Sequence, residues 1–326
     1  MTKTASKPPA SERVVPADAA RFLAELERLW PEGGRLGLAV SGGADSLALL
    51  LLAHAAIPGR FAVATVNHGL RPEAVGECAM VAQVCAARDI ACTVLGIETG
   101  PGNVQAAART ARYAALAAWA ESEGLTALAT AHHADDQAET LVMRLNRASG
   151  LAGLAGVRAR GSVPGGKLPV IRPLLHWRRG ELAAIVARAC LQPVQDPSNA
   201  DLAYDRVRIR QALATADWLD PEAIAASAEH LADADEAIEW MAEREMDENL
   251  AVVDGGIGFK PGAPRAVVLR IVANIVAGFG GSPRGGAISR LVDDLENGTG
   301  SNVAGVAATV EEGGWMFRLE APRRTC

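Results

Sequence analysis

Two short stretches hold most of the side chains that could do chemistry. Ser41-Gly42-Gly43-Ala44-Asp45-Ser46 follows an apolar run, 36–40, and precedes a second apolar run of helical length. A tight glycine turn between strand and helix gathers hydroxyls, unpaired backbone N–H groups and the positive end of a helix dipole, which suits an anion such as phosphate. The G-x-x-x-x-G-K-[ST] loop is absent and no lysine lies nearby. An ordinary turn with a capping aspartate would use the same residues. The second stretch, His132-His133-Ala134-Asp135-Asp136-Gln137-Ala138-Glu139-Thr140, sets two imidazoles and two carboxylates within five residues. Three uses are open to it: a metal site, a polar helix start with packed histidines, or a wall facing the glycine turn with one aspartate holding Mg²⁺ on bound phosphates. The Ser41 to Ser46 turn favours the third.

The elements that must position these groups alternate. Strand-like runs at 36–40, 61–67, 91–97 and 126–131 are each followed by a helical stretch, which predicts an α/β fold with parallel strands and helices on both faces, a doubly wound sheet. Ligands of such sheets bind beyond the carboxyl ends of the strands. There lie Ser41 to Ser46, Asn67-His68-Gly69-Leu70-Arg71, the loop reaching Asn103, and His132 to Asp136. A helix over 103–123, capped by Asn103, carries Arg109, Arg112 and Tyr113 one turn apart. The glycine-rich stretch 149–156 and the basic segment 158–167 read as a mobile connection. A helix over 204–213 carries Arg206, Arg208 and Arg210, which cannot all share one face. Further on, the pattern predicts a long acidic helix at 221–250, with Ile224, Ala228, Leu231, Ile238, Met241 and Met246 on its apolar side. Helices at 263–280 and 287–295 and a hairpin at 303–319 complete a smaller, mainly helical C-terminal part.

The length of 326 residues suits two domains. The expected division is an arm at 1–20, read as a disordered cytoplasmic start, a main domain at 21–215, and an accessory domain at 216–326. No stretch suits a membrane span. The five cysteines, Cys78, Cys85, Cys92, Cys190 and Cys326, form no zinc pattern and read as small buried hydrophobes. The net charge of -6 argues against a nucleic-acid partner only on average. From Arg144 to Arg210 there are twelve Lys or Arg against four acids, and from Asp217 to Asp254 thirteen acids against Arg244 alone. A basic band beside an acidic helix lets an acidic protein present a phosphate-binding face, though two solvated surfaces would show the same counts.

Ser-Gly-Gly-Ala-Asp-Ser resembles the signature of the PP-loop family of N-type ATP pyrophosphatases, whose loop holds the pyrophosphate of ATP. Together with Asn67 to Arg71, the run from Asn103 to Tyr113, His132 to Thr140, Arg147-Ala148-Ser149-Gly150-Leu151-Ala152-Gly153-Leu154 and Asp196-Pro197-Ser198-Asn199, it resembles the tRNA(Ile)-lysidine synthase family from about residue 35 to 214. Asn67 stands where that family usually has Asp, and Val207 where Asn is common. The resemblance implies a cytoplasmic ligase that uses ATP and Mg²⁺ to join free L-lysine to the wobble cytidine of isoleucine tRNA with a CAU anticodon. It implies ATP contacts from Ser41, Gly42, Gly43, Asp45, Ser46, Asn67 and His68. Asp45 and Asp136 would be the Mg²⁺ ligands, and Arg112 and His133 would act on the α-phosphate; these four are the expected catalytic residues. Asp135 or Asp136 would serve the lysine amine. Arg144, Arg147, Arg158, Arg206 and Arg208 would contact tRNA, with the segment 144–167 ordered over the site. A PP-loop tRNA thiolase and a small-molecule amide ligase are the alternatives, and a homodimer contact competes with tRNA as the use of the C-terminal part.

Overall fold

The computed structural model describes residues 14–69, 73–97, 104–194, 201–253, 255–283 and 286–320, without the side chains of 104–106. Leu70, Arg71, Asn103, Cys326 and the Asp196 to Asn199 turn lie outside the described residues. The chain divides into two compact units, residues 1–148 with 156–229, and residues 149–155 with 230–326.

The first unit is built on a six-stranded sheet. Its strands are β1 (Leu36–Ala39), β2 (Phe61–Asn67), β3 (Cys92–Gly96), β4 (Ala127–Ala129), β5 (Arg160–Ser162) and β6 (Pro169–Ile171). They lie in the order β3-β2-β1-β4-β6-β5, all parallel except β5 at one edge. Leu36 faces Phe61 on one side and Ala127 on the other, so strand order reverses at β1. A crevice at such a reversal is where doubly wound sheets take ligands.

Alternate residues feed two apolar layers. Leu36, Leu38, Phe61 and Val63 join helices α1 (Pro16–Leu29), α2 (Ala44–Ala56), α3 (Glu73–Ala86) and α7 (Arg179–Arg188) on one face. Ala62, Ala64 and Leu128 meet Tyr113, Leu116 and Trp119 of α4 (Val104–Ser122) on the other. Gly37 belongs to that second face, where a Cβ would come within 2.9 Å of Trp119, so glycine admits the ring. α2 is apolar around its whole circumference and is buried from Ser46 to Ala53, as such a helix must be.

Three expectations need correction. α1 begins at Pro16, so the arm expected over 1–20 includes a helix whose Phe22, Leu26 and Leu29 enter the core. Proline at the first helical position costs no hydrogen bond there. The basic segment 158–167 is folded: β5 pairs with β6, and Arg160 binds Glu32 at 2.6 Å. Cys78 and Cys85 are buried as expected, but Cys190 is exposed, at φ +54° just past α7.

Helices α5 (Ala134–Leu145) and α8 (Asp205–Thr215) complete the first unit, with the start of α9 (Pro221–Asn249). The second unit contains the one-turn α6 (Leu151–Leu154), the rest of α9, and helices α10 (Arg265–Gly278) and α11 (Ala287–Glu296). It also holds strands β7 (Leu250–Val253), β8 (Gly256–Phe259), β9 (Ser301–Val303), β10 (Val306–Glu311) and β11 (Gly314–Leu319), an antiparallel sheet in the order β7-β8-β11-β10-β9. The expected hairpin, β10 with β11, is its inner part. Phe259 and Trp315 pair across strands edge to face at 6.0 Å, over Val267, Ile271 and Ile275 of α10. On α9 Ala225, Ala228, Asp235 and Ala242 are buried, and Met241 is exposed instead of inward. Among the described residues no helix is long and apolar enough to cross a membrane.

Candidate active site

Beyond the carboxyl ends of β1, β2 and β4 the first unit opens a cleft of about 520 Å³. Ser41, Gly43, Asp45 and Ser46 line one side, and Thr130, His132 and Asp136 another. Thr65, His68, Glu77, Cys78, Arg112, Tyr113, Arg206 and Arg210 complete the wall.

The glycine turn is held from within. Ser46 Oγ accepts from the Ser41 amide at 3.2 Å and donates to the Gly43 carbonyl at 3.0 Å. Gly42 has φ +88°, and a Cβ there would meet Met80 at 3.0 Å and Val194 at 3.1 Å. Gly43 has φ -69° and open space around it, so only the first glycine needs its conformational freedom. Gly43 is instead the residue before α2 and lines the cleft.

The two histidines do different things. His133 is fully buried and does not line the cleft. Its Nδ1 accepts from the Asp136 amide and its backbone amide donates to Asp136, a capping box that starts α5. That bond assigns the proton to Nε2, which lies 3.4 Å from Asp45 Oδ2 and 3.5 Å from Asp136 Oδ2. His133 Nε2 thus lies close to both carboxylates. His132 is the one that faces the cleft, with Nδ1 3.0 Å from Thr130 Oγ1. Burial, followed by the charges of Arg172, Arg206, Arg109 and Arg112, pulls its pKa down to about 3, so the ring is neutral at physiological pH.

The aspartates divide as well. Asp135 accepts from the Arg179 amide at 2.8 Å and from Arg178 at 3.3 Å, and it does not line the cleft. Burial works to raise its pKa, but those bonds prevail and hold it below the ordinary value. Asp136 faces the cleft and accepts from Arg206 at 2.6 Å. One turn further along α5, Glu139 is buried and accepts from Arg179 at 2.9 Å, Arg206 at 2.8 Å and Arg210 at 2.7 Å. Burial opposes its charge, yet the bonds from Arg210, Arg206 and Arg179 prevail and hold its pKa at about 2. Reading the sequence missed Glu139 and Arg210. Their signal was spacing, since Asp136 to Glu139 and Arg206 to Arg210 each advance one helical turn.

Arg112 lines the cleft with its guanidinium over the Tyr113 ring, 5.5 Å from the centroid. Burial lowers its pKa from the ordinary value. Asn67 accepts from the Gly69 amide at 3.0 Å, a local turn beside the cleft-lining His68. Arg144 is exposed, Arg147 and Arg208 both bind Asp205, and Arg158 is half-buried with its carbonyl accepting from Arg172. Arg206 stands inside the cleft instead of on the outer surface.

Among the described residues no group of three or more His, Cys, Asp or Glu could hold a metal ion. Asp45 Oδ1, however, is buried without a hydrogen-bond partner, beside the converging Asp136. Two carboxylates with an unsatisfied oxygen fit Mg²⁺, which usually takes one or two protein carboxylates and completes its shell with water and substrate phosphates.

A mostly parallel sheet with a glycine turn at the strand-order reversal, faced by carboxylates and arginines across one cleft, is the arrangement of a PP-loop domain. The PP-loop domain family matches residues 16–216. The chain is 50% identical over 311 residues to the tRNA(Ile)-lysidine synthase of Novosphingobium aromaticivorans, covering 94% of this chain and 95% of that one. It is 40% identical over 303 residues to the tRNA(Ile)-lysidine synthase of Zymomonas mobilis, covering 90% and 91%. The chain belongs to the tRNA(Ile)-lysidine synthase family. In fold it is similar to a U34-tRNA thiolase from Methanococcus maripaludis, with TM-score 0.54 and 17% identity over 66% of this chain and 78% of that one.

Proposed function

We propose that the protein uses ATP to join L-lysine to carbon-2 of the wobble cytidine in isoleucine tRNA with a CAU anticodon, releasing AMP and pyrophosphate. Family membership supports the reaction, and one observation carries the site: the glycine turn and Asp136 line the same cleft. The carbon-2 carbonyl is a poor electrophile. Attack of its oxygen on the α-phosphorus expels pyrophosphate and turns that oxygen into a leaving group. The lysine amine then adds at carbon-2, AMP departs with the oxygen, and the nitrogen loses a proton.

The Gly42–Gly43 turn and the start of α2 receive the phosphates. Asp45 and Asp136 would hold Mg²⁺, which would offset triphosphate charge. Arg112 stands in the cleft as a cation for the α-phosphate, and neutral His132 takes over the part that the sequence reading gave to His133. Asp136 is the carboxylate presented to the amine, because it lines the cleft and Asp135 does not. The test is incorporation of radiolabelled lysine into a panel of tRNAs. Label should enter only the CAU isoleucine tRNA and only with ATP; sulfur transfer to that tRNA without lysine incorporation would replace this reading with the thiolase.

A further inference from the structure

Helix α8 has two faces with different occupants. Arg206 and Arg210 point into the cleft, to Asp136 and Glu139. Tyr204 and Arg208, also four residues apart, belong to the opposite side. Beside them is exposed apolar surface: Leu202, whose carbonyl accepts from Arg208 at 3.4 Å, is 52% exposed, and Tyr204 is 41% exposed. Arg208 also belongs to an ion triad in which Asp205 binds Arg147 at 2.9 Å as well as Arg208. Both arginine side chains are more than half exposed. An exposed triad of this kind contributes little to stability.

A base can react in this cleft only after it leaves the stack of its loop. Its unpaired neighbours then need a surface on which to stack, and the flanking phosphates need cations. The Tyr204 surface offers both, on the helix whose other side carries the cleft-lining Arg206.

We infer that Tyr204 and Leu202 form a stacking surface for the anticodon-loop nucleotides beside the wobble cytidine, and that Asp205 restrains Arg147 and Arg208 until RNA phosphates displace it. This inference rests on tRNA being the substrate. Asp205 acts here as a brake on affinity. Two phosphates exchanged for one carboxylate release counterions from the RNA and leave both guanidiniums paired.

Binding of the CAU isoleucine tRNA, measured by fluorescence anisotropy across a salt series, tests this together with lysine incorporation. D205N should tighten tRNA binding several-fold and steepen the plot of log affinity against log salt by about 1. Y204A should raise KM for tRNA about tenfold, with Y204F close to wild type and ATP affinity unchanged. If wild-type protein binds the tRNA and incorporates lysine but D205N leaves affinity and slope unaltered and Y204A retains the wild-type KM, the stacking surface and the brake are wrong while the proposed function stands. If wild-type protein neither binds the tRNA nor incorporates lysine, both fall. A Y204A defect that Y204F shares, or one that appears equally in ATP affinity, would mark a structural role and overturn the inference.

Discussion

Each unit holds an arginine–carboxylate cluster, and the two are built with opposite balance. In the first unit three guanidiniums, from Arg179, Arg206 and Arg210, share buried Glu139. In the second, the single Arg270 lies between Asp235 and Glu239, with Asn274 donating to Glu239 at 2.8 Å. The Arg270 cluster ties α9 to α10 and lines no part of the cleft. The Glu139 cluster opens onto the cleft through Arg206 and Arg210, and it carries an excess of cations where a triphosphate would bind. Buried ion pairs do not by themselves argue for stability, and breaking either cluster by removing one partner is costly. What separates them is use: one fastens two helices, and the other leaves positive charge unspent at a cleft.

The largest effect tests whether the cleft does chemistry. D45A should lower ATP-to-AMP turnover at least a hundredfold with little change in melting temperature, since Asp45 Oδ1 has no partner to lose. Retained turnover would show that the glycine turn and Asp45 do not serve ATP. Next, E139Q and R270M should each destabilise the fold by about 3–5 kcal/mol in denaturant titrations. Only E139Q should also depress lysine incorporation per folded molecule; equal loss in both variants would erase the contrast.

The Glu139 contribution also has a predictable pH window. Its folded pKa of about 2 lies below its ordinary value of 4.5, so the stability it supplies is complete above about pH 4.5 and is lost as pH falls toward 2. Stability curves of wild type and E139Q should therefore converge in that interval and stay parallel above it. The smallest effect concerns the glycines. G42A should destabilise by about 1–3 kcal/mol through its positive φ and the contacts with Met80 and Val194. G43A should leave melting unchanged and weaken ATP binding only.

The order of strands and helices in the first unit was legible because parallel strands buried on both faces read as continuous apolar runs between helical stretches. The two walls of the cleft were legible for the same reason, since their residues follow strand ends. Which histidine faces the cleft was not, because His132 and His133 are adjacent and the capping box that turns His133 inward depends on three-dimensional geometry. Glu139 was hidden inside a helix, its partners about 40 to 70 residues away. In the second unit helices α9, α10 and α11 were visible, but of the strands only the β10–β11 hairpin. Strands β7, β8 and β9 are three or four residues long, and glycines at 256 and 258 break their apolar alternation.

The most direct test of the central claim is the mass of the wobble nucleoside after reaction with ATP, Mg²⁺ and L-lysine. The account predicts a cytidine heavier by one lysine residue, with one AMP released per modified tRNA and none formed by D45A. Unmodified cytidine from folded, ATP-binding protein, or a cytidine carrying sulfur, would contradict it.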